Sequence, residues 1–173
     1  MADTKIRVPL KKVIEGIEMA TDEWSQYLDI ETMEIESLPD GGYSGDWMDE
    51  FEELSEKIDN GRKTRYFALP DKFDIHEYSI IERFVYDMPS GRLQDEFERA
   101  IDGRGAFRRF KSTLRYYGME QQWYDFLYEA HREIAIGWCD DNGFEYYEEN
   151  ESPSQILCKP LIWCRIEAPY WRF

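Results

Sequence analysis

Cysteine is scarce in this chain of 173 residues: it has three, Cys139, Cys158 and Cys164. An odd number without a Cys-x-x-Cys pair excludes a dense disulfide scaffold and a zinc ribbon, so all three read as reduced, packed thiols. Histidine is scarcer still. His76 and His131 do not form the His-Glu-x-x-His pair of a zinc hydrolase, and His131 with Glu133 on one helix points its members in different directions. No apolar run reaches the roughly 18 residues that a membrane-spanning helix requires. The opening Met1-Ala2-Asp3-Thr4-Lys5-Ile6-Arg7-Val8-Pro9 lacks the apolar centre of a signal peptide, and the expected location is the cytoplasm, with no membrane partner. No nucleophile–base constellation, Walker loop or full dinucleotide fingerprint is present, so no catalytic residue, metal ligand or cofactor is assigned.

Basic charge is also in short supply. The chain carries 37 acids against 21 bases, a formal charge of -16, which repels phosphate backbones and anionic membranes at long range. The deficit is uneven. Residues 21 to 60 hold 14 acids and one base, whereas residues 61 to 138 hold 13 of each, so an electrically two-sided molecule is expected. With 42% hydrophobic and 16% aromatic residues the chain can bury one good core.

The periodicity predicts an α+β fold, mainly helical, with about six helices, a small antiparallel sheet near the N-terminal half and a C-terminal three-helix bundle. Leu10, Val13, Ile14 and Ile17 make a helical stripe over 9 to 21, with Pro9 in its first turn. Trp24 to Ile30 and Met33 to Leu38 read as a hairpin, followed by a loop at Pro39-Asp40-Gly41-Gly42. Asp46 is placed to cap a helix bearing Trp47, Phe51, Leu54 and Ile58, ended by a left-handed Asn60-Gly61. Thr64 to Leu69 reads as a third strand. Asp74 with Glu77 resembles a capping box opening a helix that stops at Pro89. Three more helices follow: one from Ser90 to Gly103, one from Gly105 to Gly118, and a long one carrying Trp123 to Trp138 up to Asn142-Gly143. Residues 1 to 143 are expected to form one domain. The stretch from Phe144 reads as a polar linker, then an apolar run from Ile156 to Ile166 broken by Pro160, so that 144 to 173 is an extension packed on the domain or at an interface.

Gly103-Arg104-Gly105-Ala106-Phe107-Arg108-Arg109-Phe110-Lys111, with Trp123-Tyr124 and Ile134-Ala135-Ile136-Gly137-Trp138 after it, resembles a bacterial uncharacterised protein family, number 158 in the uncharacterised series. The first helix with Tyr27-Leu28-Asp29, and the helix holding Arg83-Phe84, are similar to its first part. The resemblance covers roughly 8 to 143, and nothing from 144 onward contributes to it. It implies a bacterial cytosolic protein of mixed α and β structure. It carries no activity and no site residues.

Within that run Arg104, Arg108, Lys111 and Arg115 recur at steps of four, three and four, so they would share one stripe of a helix, with Arg109 beside it. The glycines flanking Arg104 precede a helix start, where free backbone N–H groups receive anions. Such a stripe suits a protein partner or a small anionic ligand. The structural alternative is that these bases pair with Asp95, Glu96, Glu98 and Asp102 of the preceding helix or lay their stems on aromatic rings. A helix-turn-helix reader of double-stranded DNA is disfavoured by the chain's negative charge. Two function classes stay open: a non-enzymatic binding or regulatory module, and an enzyme acting on a nucleotide or phosphorylated metabolite that uses the same arginines.

Overall fold

The computed structural model describes residues 5 to 41 and 48 to 148. The chain has an α+β fold, mainly helical, with a three-stranded antiparallel sheet in its N-terminal half. The described residues divide into two compact units: one holds 5–41, 48–76 and 130–148, the other Glu77–Glu129.

In the first unit β1 (Arg7–Pro9) leads directly into α1 (Leu10–Glu18). Pro9 closes the strand and serves as N-cap, so the helix is shorter than the 9 to 21 expected. Its buried stripe is Leu10, Val13, Ile14, Gly16 and Ile17. Gly16 is there for proximity: a Cβ at this position would lie 2.2 Å from Leu69 Cδ1 and 3.2 Å from Ile35 Cδ1. The hairpin of β2 (Trp24–Asp29) and β3 (Glu34–Pro39) turns through Met33, whose φ of 58° is held by its N–H donating to the Asp29 carbonyl at 2.8 Å. β4 (Tyr66–Ala68) pairs with the other edge of β2, giving the order β3-β2-β4, with Leu28 opposite both Ile35 and Phe67.

A central strand is covered on both faces, and this shows in the burial of Gln26, Tyr27, Leu28 and Asp29 in succession. α2 (Met48–Asn60) sets Leu54 and Ile58 against Tyr27, Leu38 and Tyr66, and Phe51 edge-on to Trp24 at 5.9 Å. Its six acids, Asp49, Glu50, Glu52, Glu53, Glu56 and Asp59, are all exposed. The left-handed residue beyond it is Lys63 (φ 59°), not the expected Asn60-Gly61.

α3 (Lys72–Ile75) and α4 (Glu77–Tyr86) replace the single helix expected from Asp74. The capping box lies one turn earlier than the sequence suggested. Asp71 accepts from Phe73 and Asp74 N–H while Asp74 accepts from Asp71 N–H, and His76 (φ 50°) then ends the turn. Aspartate reaches its own chain two and three residues on, and the first such residue after Pro70 takes the position.

The second unit contains α4, α5 (Arg92–Ile101), α6 (Ala106–Tyr117) and the first part of α7 (Glu120–Asp141). Its core is aromatic. Phe84 meets Phe97, Phe110, Trp123 and Phe126 edge-on with centroids 5.3 to 6.4 Å apart, and Phe110 meets Trp123 at 4.9 Å. Edge-to-face pairing matches positive ring rims to negative ring faces, adding about 0.5–1.5 kcal/mol per pair to area burial.

Residues expected to form a polar linker contribute a strand instead. β5 (Glu145–Tyr147) pairs in parallel with β1, Val8 opposite Tyr146, as a separate two-stranded sheet. The Glu145 N–H donates to Ile6 at 2.9 Å, and Phe144 packs against Phe67 and Trp138. Asp46, the run from Ile156 to Ile166, Cys158 and Cys164 lie outside the described residues.

Candidate functional site

α6 is punctuated by glycine at both ends. Gly103 and Gly105 have φ of 67° and 82° before it, and Gly118 has 65° after it, a region that costs most residues about 1–2 kcal/mol. Gly118 N–H turns back to the carbonyls of Leu114 and Arg115, and Met119 N–H bonds Leu114 at 2.9 Å, satisfying the last turn. The first turn has no side-chain cap and no acidic residue. Ala106, Phe110 and Leu114 face the aromatic core.

That buried stripe fixes where the bases go. At 100° per residue, Lys111, Arg115 and Arg108 fall side by side on the solvent face, all three exposed. Arg104 is exposed too, but it sits in the turn before the helix, so the expected four-residue stripe is a three-residue stripe with one outlying arginine. Among the described residues Arg104, Arg108 and Lys111 form no ion pair. Arg115 lies 3.4 Å from Glu120, an exposed contact worth little.

Arg109 is different. Its guanidinium donates from Nε to the Ala100 carbonyl at 3.0 Å, from Nη1 to Arg104 at 2.6 Å and from Nη2 to Asp102. It therefore ties the last turn of α5 and the Arg104 turn to α6, and its planar fork is spent on backbone. Gly105 fits beside it: a Cβ there would come within 3.3 Å of Arg109 Nη1.

The acids of α5 do not neutralise the stripe. Glu96 is occupied by the Tyr117 hydroxyl and by Arg92 Nε at 3.1 Å; the first bond and then the second hold its carboxyl below the ordinary value, and the Tyr117 phenol is raised in turn. Residues 103 to 118 thus carry five bases and no acid. Two aromatic rings border the stripe on opposite sides, Phe107 at 40% and Tyr116 at 81% exposure. The steps of three, four and three between Phe107, Phe110, Leu114 and Tyr117 predict one apolar face, but Phe107 lies at its rim, 6.1 Å from Tyr78, whose hydroxyl donates to the Ile101 carbonyl.

Burial acts on two groups of the first unit that acid–base or nucleophilic chemistry could otherwise use, His131 and Cys139. Burial lowers the pKa of His131, leaving it neutral, and its Nδ1 lies 4.0 Å from Glu18 Oε1 without a hydrogen bond. Burial, with Asp140 beside it, pushes the Cys139 thiol up to about 11, so the reactive thiolate is scarce at neutral pH. The buried Asp29 is a brace for the sheet. Burial raises its pKa, but bonds from Arg65 and the Glu31 and Thr32 N–H groups outweigh that and bring it below the ordinary value. Arg65 reaches it with Nε at 3.0 Å and Nη2 at 2.6 Å while holding Glu31 with Nη1. Among the described residues no three His, Cys, Asp or Glu side chains converge as a metal site, and no helix is long and apolar enough to cross a membrane.

Neither a curated protein nor a solved structure matches the chain. A family model does, over residues 5–160, which reaches further at both ends than the motifs alone and takes in β5 and the residues after it. The chain belongs to the uncharacterised protein family UPF0158.

Proposed function

We propose that this protein is a non-enzymatic binding module of the bacterial cytosol whose working surface is the outer face of α6. Arg108, Lys111 and Arg115 contact an acidic protein partner, Arg104 extends the contact from the preceding turn, and Arg109 holds that turn in place. The observation that carries the reading is the local excess of positive charge: five bases and no acid across 103 to 118 in a chain of net charge -16, with Arg104, Arg108 and Lys111 in no ion pair among the described residues. Unpaired cations keep their full Coulomb attraction for a partner, while bases paired within a fold do not.

An extended acidic partner suits this surface better than a compact phosphate. A helix rises 1.5 Å per residue, so Arg108 and Arg115 are separated by about 10 Å along the axis on a convex face. Phosphate sites converge several donors on one point. The one guanidinium aimed at the helix start, that of Arg109, already serves three carbonyls.

The test is capture by immobilised poly-glutamate beside thermal shifts with inorganic phosphate and pyrophosphate. Poly-glutamate should retain the wild-type protein at low salt, and Arg104→Ala/Arg108→Ala should weaken retention with the melting temperature nearly unchanged. No retention of wild type, or a variant that loses stability while binding normally, overturns the reading. Strong stabilisation by pyrophosphate alone would favour the phosphate-metabolite enzyme instead.

A further inference from the structure

Resting on that reading of α6, we infer that a second copy of this chain supplies an acidic partner surface, the outer stripe of α2. The motive is a match of spacing as well as sign. On α6 the exposed cations Arg108, Lys111 and Arg115 stand at steps of three and four residues. On α2 the exposed acids Asp49, Glu52, Glu56 and Asp59 stand at steps of three, four and three. Because both helices rise equally per residue, these steps are about 4.5 and 6 Å on each, and three charge pairs fall into register together. The acidic series reads the same in both directions, so parallel and antiparallel crossings both keep three pairs.

The rest of α2 leaves this stripe available. Phe51, Leu54 and Ile58 turn inward to the sheet, and the helix's single lysine, Lys57, is taken by Glu53 at 2.7 Å. Asp49, Glu52, Glu56 and Asp59 form no ion pair among the described residues. Six acids and one base in α2 face four bases and no acid in α6. Two copies at -16 repel as whole bodies, but at physiological salt that repulsion is screened beyond about 8 Å, while charges brought into contact still attract. The contact joins two different patches and is therefore heterologous.

Sedimentation velocity over a concentration series, at a low salt of about 0.15 M and at about 0.5 M salt, tests this. Wild type should gain mass with concentration at low salt and lose that gain at high salt. Arg108→Glu/Lys111→Glu and Glu52→Lys/Glu56→Lys should each stay monomeric with melting temperatures close to wild type, since all four positions are exposed. An equimolar mixture of the two variants should associate again, because each presents the other's complement. Monomeric wild type at low salt, a reversal that leaves association intact, or a mixture that stays monomeric overturns the inference. If wild type is monomeric yet poly-glutamate retains it, only the second-copy assignment falls; if neither occurs, both fall.

Discussion

Replacing Arg109 with alanine removes three hydrogen bonds at once and leaves the carbonyls of Ala100, Asp102 and Arg104 without their donor. The cost can be assembled from their surroundings. The bond to Ala100 is half-buried and involves a charged donor, worth about 1.5 kcal/mol, while the two exposed carbonyls recover water and lose only about 0.5 kcal/mol each. About 2.5 kcal/mol is a sizeable share of the 5–15 kcal/mol that holds a typical domain, and it corresponds to a fall in melting temperature of about 5–10 °C. Lysine at the same position keeps the charge but not the fork, so Arg109→Lys should recover less than half of the loss. Urea unfolding gives the energies, and amide exchange gives the location: the Ala106 N–H, bonded to Gly103 at 3.3 Å, should exchange faster in the alanine variant than amides of the Phe84–Phe110 core. Stability within about 0.5 kcal/mol of wild type would refute the clamp, and so would full recovery by lysine, which would reduce the residue to a point charge.

Two further outcomes follow from shifted protonation equilibria. The Asp29 carboxyl is depressed, so its contribution to stability is fully present above the ordinary aspartate value near 4 and is lost as pH falls through the lower folded value; Asp29→Asn should be less stable than wild type at pH 7, and their urea midpoints should converge in acid, whereas a constant gap across the series would exclude the linkage. In a Cys158→Ser/Cys164→Ser background, Cys139, buried with its thiol pushed up to about 11, should react with a disulfide reagent at pH 8 only as fast as the protein unfolds, and prompt labelling of the native protein would contradict its burial.

The second unit was the more legible from sequence because its signals are local. Glycine at 103, 105 and 118 marks the ends of α6 whatever the rest of the chain does, and the steps of four from Ala106 to Phe110 to Leu114 fix its inner face and hence the outward direction of Arg108, Lys111 and Arg115. Arg109 shows where such reasoning stops. Periodicity puts it at the border of the buried face, but its partners are carbonyls of the preceding helix end, and backbone atoms leave no mark in a sequence. β1 and β5 were missed for a related reason: three-residue strands are too short for alternation to register, and their pairing joins positions 138 apart. The cap at Asp71 in place of Asp74 was a choice between two similar local patterns, settled by where the preceding strand and Pro70 deliver the chain.

The pairing of β1 with β5 also sets an order of events. Val8 is completely buried in the finished protein, yet the strand it lies opposite contains Tyr146, which a ribosome adds only after nearly all the described residues have been made. During synthesis the first strand therefore waits for its partner while the hairpin, α2 and the aromatic core have their own sequences at hand. Closing so long a loop is entropically costly and slow relative to local helix formation. Among the described strands, the one made earliest is among the last to be paired.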